Sequence, residues 1–162
     1  MCHSDCLMKG NIMETMDNKQ RYETYKMISG DLKKALHNGF YYEAIFIEYA
    51  ILEDRFASVL KHAHQPYQDK KGKDYGIKDL IKNSRKWASQ DKFYGERITE
   101  ELKSICLEWV EHRNTLIHQL ANIPYDSENV KSVALEGNEI VKVVKNKTAS
   151  VINHIKKMEE QL

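Results

Sequence analysis

Apolar residues recur at steps of three and four along most of the chain, the spacing that places side chains on one face of an α-helix. The pattern predicts helices over about 18–37, 40–62, 77–87, 95–121 and 127–162. The second of these has the broadest apolar face, which favours a central position in the fold.

Local signals mark several of the helix ends. Asn38-Gly39 is typical of the end of a helix, Ile123-Pro124 ends the fourth, and Asp126 or Ser127 can cap the last. The segment Val133–Val143 leaves two interpretations open, because its valine-rich arms around Glu136-Gly137-Asn138-Glu139 also fit a β-hairpin. We favour helix there over strand.

Composition agrees with a helical protein. The 162 residues include only seven glycines and two prolines, and no internal linker tract divides them. We expect an all-α, up-and-down bundle of four to five helices in one domain, residues 18–162, after a flexible leader, residues 1–17. No run approaches the roughly 18 apolar residues needed to cross a bilayer, and the first residues lack a signal-peptide core. The expected location is cytoplasmic, with no membrane partner.

Charge and cysteine usage restrict the chemistry. Lys and Arg number 25 against 24 Asp and Glu, so a nucleic-acid site would have to be local. Three cysteines do not make a disulfide framework. Cys2, His3 and Cys6 could bind a metal, but no downstream residues complete a zinc set at familiar spacing. We therefore expect neither a metal site nor a cofactor.

The stretch EHRNTLIHQL, residues 111–120, places an arginine within an apolar helix face. On a helical wheel Arg113 lies at the centre of the stripe formed by Leu102, Cys106, Trp109, Ile117 and Leu120. A buried guanidinium requires a carboxylate, carbonyls or a bound anion. Glu48 lies inside the apolar stripe of the second helix, and the sequence predicts that it pairs with Arg113 across the interface.

The histidine of the same stretch lies elsewhere on the helix. His118 is about 140° from Arg113, at the rim of the stripe, and shares a flank with Asn114. Cleaving RNA without a metal requires a proton acceptor, a proton donor and a cation for the pentavalent phosphorane. His118 and Arg113 are suited to these tasks, although one chain supplies only one such histidine.

Arg113-Asn114-x-x-x-His118, on a long helix of an all-helical protein, resembles the arginine-four-histidine motif of HEPN domains. The resemblance implies a homodimer in which two motifs face one cleft, and a metal-independent endoribonuclease of a toxin or phage-defence system. It implies that Arg113 binds the scissile phosphate, that His118 is the general acid or base, and that Asn114 positions one of them. RNA and an antitoxin protein are the implied partners. The tyrosine of one toxin branch is absent, since Gln119-Leu120 follows His118.

A second hypothesis needs no catalysis. In it the chain is a helical module that binds a protein partner or a nucleotide, Arg113 is a structural salt-bridge residue, and His118 is a surface histidine. The two hypotheses differ in what they predict for RNA cleavage in EDTA and for the stability of Arg113 and His118 variants.

Overall fold

A computed structural model describes residues 18–120, 122 and 126–161 of the chain. Within these residues the fold consists entirely of helices and connecting turns, with a single isolated bridge between Gln68 and Asp74. The helices are α1 (Asn18–His37), α2 (Tyr41–His62), α3 (Ile77–Ala88), α4 (Lys92–Gly95), α5 (Glu100–Gln119) and α6 (Ser127–Glu159). The predicted all-α bundle is confirmed.

Capping residues explain where the helices begin and end. Gly39 follows α1 with a φ of +76°, a conformation that suits glycine at a helix end. The side chain of Asp126 accepts a hydrogen bond from the backbone N–H of Asn129 at 3.1 Å and so starts α6. The proline predicted to end the fourth helix lies outside the described residues, as does the leader.

Two predictions about the later helices have different outcomes. The segment Val133–Val143 lies wholly within α6, so the helical interpretation is confirmed and the hairpin is wrong. The predicted start of the fourth helix at Gly95 is also wrong. The single turn α4 ends there, and α5 starts after Thr99, whose hydroxyl accepts a hydrogen bond from Leu102 N–H at 3.1 Å.

Helix α2 occupies the centre of the bundle, as its broad apolar face predicts. It packs against α1, α3 and α6, and its most extensive interface is with α6. Helix α5 packs against α3 and α6. The largest fully buried side chains come from several helices. They include Trp109, Phe56, Ile45, Leu52, Leu60 and Ile81.

Helices α2, α5 and α6 meet at Gly137, near the middle of α6. A Cβ atom added there would lie 2.7 Å from Cζ2 of Trp109 and closer still to Oε2 of Glu48. Trp109 is fixed at this point, because its indole N–H donates to the carbonyl of Val133 at 2.9 Å. The missing side chain of Gly137 thus provides the space that Glu48 and Trp109 occupy.

This contact makes Gly137→Ala a destabilising substitution, although alanine normally favours a helix. We expect overpacking against Trp109 to lower the free energy of unfolding by about 1–3 kcal/mol, measured by urea denaturation. Gly30→Ala is the matched control, because nothing lies within 4 Å of a Cβ there. It should raise stability by about 0.5–1 kcal/mol. Equal effects of both substitutions would contradict the close packing at Gly137.

Candidate functional site

Helix α5 carries the motif residues Arg113, Asn114 and His118 on two successive turns. A rise of 1.5 Å per residue separates Arg113 from His118 by about 7.5 Å along the helix axis. The two side chains leave the helix in different directions. Arg113 is half-buried against α2, whereas His118 is exposed.

Aromatic rings and an amide hold the guanidinium of Arg113. Its central carbon lies 4.4 Å from the ring centroid of Tyr49 and 5.4 Å from that of Phe46, both on α2. Its Nη1–H donates to Oδ1 of Asn114 at 3.0 Å. These contacts orient the group by cation–π attraction and one hydrogen bond. Asn114 therefore positions the arginine.

The predicted ion pair between Glu48 and Arg113 is wrong. Neither carboxylate oxygen of Glu48 has a hydrogen-bond partner among the described residues, and the buried Nε of Arg113 has none either. Glu48 lies in the core as predicted, but it faces Gly137 and Trp109. The long side chain of Arg113 instead extends along α2 to Tyr49 and Phe46, so that its charged end approaches the surface.

Burial determines the protonation state of Glu48. The side chain is fully buried, and desolvation raises the pKa of its carboxyl group to about 8. The group is therefore mostly protonated and neutral at pH 7. A neutral carboxyl offers no charge to Arg113, which explains why the two side chains need not meet.

Arg113 also has ionisable neighbours that the sequence analysis did not predict. Burial raises the pKa of Glu53, nearby Asp74 raises it further, and Arg113 lowers it. Burial also raises the pKa of the Tyr49 hydroxyl, with opposing effects from Glu53 and from the cations Arg113 and Lys78. Lys78 in turn donates to Glu111. None of these carboxylates lies within 4 Å of the guanidinium, so Arg113 remains without an ion pair among the described residues.

His118 is available for contact with a ligand or a second chain. Its side chain makes no hydrogen bond to another described residue, and only its backbone carbonyl is used, by Asn122 at 3.4 Å. It does not reach Arg113 or Asn114 within hydrogen-bonding distance. The structure thus joins Arg113 with Asn114 and leaves His118 apart.

The part of the chain that the structure describes contains no group of three or more His, Cys, Asp or Glu residues suited to a metal ion. Cys2, His3 and Cys6 lie outside the described residues. Cys106 is buried in the core, where desolvation raises the pKa of its thiol to about 12. None of the described helices combines the length and apolarity required to cross a bilayer.

No family model matches the chain, and no curated protein or solved structure shows significant similarity to it. The motif residues and their surroundings in the fold are therefore the features that bear on function.

The protonated state of Glu48 predicts a specific dependence of stability on pH. The unfolded carboxyl loses its proton near pH 4.5 and the folded one near pH 8, so the free energy of unfolding should fall as pH rises between these values. The slope is at most about 1.4 kcal/mol per pH unit. Glu48→Gln keeps a neutral polar group and removes this slope, so its stability relative to the wild type should rise from pH 5 to pH 8.

Urea denaturation at several pH values measures this effect. Glu43→Gln is the control, because it removes an exposed carboxylate from the same helix and should give a profile parallel to that of the wild type. If the Glu48→Gln profile also ran parallel to the wild type, Glu48 would be charged in the folded protein and the interpretation would be wrong.

Proposed function

We propose that the protein is a metal-independent endoribonuclease of the HEPN type, acting as a cytoplasmic homodimer. The observation that carries the proposal is the state of Arg113. Its guanidinium is oriented by Tyr49 and Asn114, lacks an ion pair among the described residues, and shares α5 with an exposed histidine. A fixed cation with unused donors is suited to a phosphate.

The chemistry follows from the two side chains. In RNA cleavage the 2′-oxygen attacks the adjacent phosphorus, the bond to the 5′-oxygen breaks, and the products are a 2′,3′-cyclic phosphate and a 5′-hydroxyl. One group takes the proton of the 2′-hydroxyl, and another gives a proton to the leaving oxygen. Arg113 would stabilise the negative charge of the phosphorane, and His118 would perform one of the proton transfers.

A second copy of the chain would supply the missing proton-transfer group. Exposed apolar side chains near Arg113 support such an interface: Phe46 on α2 is 52% exposed, and Leu120 at the end of α5 is 50% exposed. Leu120 follows Arg113 by seven residues and therefore leaves α5 on nearly the same side. To bring two copies of His118 into one cleft, the proposed interface would also include the flank of α5 that carries His118, about 140° from Arg113. RNA would be the substrate, and an antitoxin protein a further partner in a toxin system.

The alternative is a non-catalytic helical module that binds a protein partner or a nucleotide. The stacking of Arg113 on Tyr49 favours it, because this contact is also a structural use of arginine. In this case Arg113→Ala would destabilise the fold, and RNA cleavage would not depend on Arg113.

An RNA cleavage assay in EDTA distinguishes these functions. We expect the wild type to cleave RNA, and His118→Ala to lower the rate by about 10²–10⁴-fold through loss of proton transfer. Arg113→Ala should also abolish most cleavage. His112→Ala is the control, since His112 is an exposed neighbour on α5 and should leave the rate unchanged.

Urea denaturation of the same variants separates catalysis from folding. Because His118 is exposed and unpaired, His118→Ala should unfold at nearly the same urea concentration as the wild type. Cleavage that survives both motif substitutions, or no cleavage of any RNA by the wild type, would rule out the ribonuclease.

The dimer has its own test. Replacing Leu120 with Asp leaves the rings beside Arg113 in place and should convert a dimer into a monomer and reduce cleavage with it, measured by light scattering and the same assay. Met27→Asp changes an exposed apolar residue on α1, which is 68% exposed, and should do neither. A monomeric wild type that cleaves RNA would contradict the two-chain site.

A further inference from the structure

A groove of about 460 Å³ runs between α1, α2 and α6, on a face that the proposed ribonuclease does not use. Its polar lining is predominantly basic. Arg21 comes from α1, Arg55 and His62 from α2, and Lys156 from α6. Because three separate helices contribute these side chains, the positive charge of the groove depends on the tertiary fold.

Carboxylates do not balance this charge. No carboxylate of the described residues lies within 4 Å of Arg21 or Lys156, and none lines the groove. Asp54 is the one acidic residue beside Arg55, which binds it at 2.7 Å through Nη2. Asp54 also accepts a hydrogen bond from the Tyr25 hydroxyl. Asp54 is therefore already paired with Arg55, and Arg21 also acts on it electrostatically, although neither Arg21 nor Lys156 forms an ion pair within 4 Å with another described residue.

The crowding of cations continues along α6. Lys145 donates to the hydroxyl of Ser29 at 2.9 Å, which is a neutral partner. Burial lowers the pKa of Lys145, and the nearby cations Arg55 and Lys33 lower it further. Asp54 offsets one of these charges, and the remaining like charges repel one another, although the chain as a whole has a net charge of only +1. An anion bound in the groove would relieve this repulsion.

The cationic groups are also partly fixed in position. Arg55 lies 4.2 Å from the ring centroid of Tyr25 and is held by Asp54 from the other side. Nδ1 of His62 is 2.8 Å from the carbonyl of Ser58. A carbonyl can only accept, so Nδ1 carries the hydrogen, and Nε2 donates to an anion only when the imidazole is doubly protonated. Side chains fixed in this way lose less freedom when they bind an anion.

We propose that this groove binds a small phosphate ester carrying at least two negative charges. Convergent Arg and Lys donors match phosphate oxygens, and the volume lies in the range of small-molecule sites. The adjoining ring of Tyr22, 67% exposed, offers a surface for an apolar or aromatic portion of the ligand. The groove is confined by three helices and does not form the extended basic track that a nucleic-acid strand requires.

Calorimetric titration tests the site with three probes: inorganic pyrophosphate, a nucleoside diphosphate and a short single-stranded RNA. The wild type should bind the two small probes, the diphosphate at least as tightly as pyrophosphate. Arg21→Gln combined with Lys156→Gln should weaken both by about tenfold or more through loss of charge-assisted hydrogen bonds.

A matched double variant controls for net charge. Lys26→Gln combined with Lys157→Gln removes two exposed cations from the same helices outside the groove, and it should bind the small probes like the wild type. Arg113→Ala should also bind normally, which separates this site from the ribonuclease. Three results would overturn the proposal. The wild type could bind neither small probe, it could bind RNA alone, or both double variants could bind the small probes equally weakly.

Discussion

Helices α2 and α6 form the most extensive interface of the bundle, and Gly137 of α6 faces Glu48 of α2 and Trp109 of α5. At this point a carboxyl group is buried without any hydrogen-bond partner among the described residues. Burying a charged carboxylate in this way would be far more costly than burying a neutral acid. Desolvation by burial therefore raises the pKa of Glu48 to about 8, and the group is mostly protonated at pH 7.

The mostly neutral state of Glu48 also affects the candidate site on α5. An ionised Glu48 would attract the nearest cation into the core, and Arg113 is on the buried stripe of α5. Because Glu48 is mostly neutral, it does not provide Arg113 with an ion-pair partner in the core. Its guanidinium instead lies over Tyr49, where cation–π attraction fixes its direction without neutralising its charge. A positive charge that is oriented but unpaired is what the proposed phosphate contact depends on.

Much of the fold could be predicted from periodicity and capping residues. The bounds of α1 were predicted to the residue, and α6 was recognised as a helix although Val133–Val143 also fits a hairpin. The start of α5 was missed because Gly95 and Thr99 both fit a helix start, and the separate turn α4 has no apolar periodicity of its own. Local patterns of this kind indicate which face of a helix is apolar, but they do not indicate where a short turn interrupts the helix.

The candidate site was only partly predictable for a related reason. A helical wheel gives the angle at which a side chain leaves its helix, and it correctly placed Glu48 in the core and His118 at the surface. It does not give the reach of a long side chain or the space that a glycine leaves on a third helix. The Glu48–Arg113 pair failed on these two points, and Tyr49 was not identified from the sequence as the ring beneath Arg113.

The geometry of α2 explains how one small fold can hold two cationic surfaces. Phe46, Tyr49 and Glu53 lie along one edge of its buried stripe, and Arg55, Ser58 and His62 lie along the other, about 180° away around the helix. The first edge meets Arg113, and the second lines the groove shared with α1 and α6. Glu48, buried between them, is mostly neutral at pH 7 and serves as a counterion to neither surface, whereas Asp54 pairs with Arg55 on the second. The two proposed anionic ligands would therefore lie on opposite sides of the same central helix.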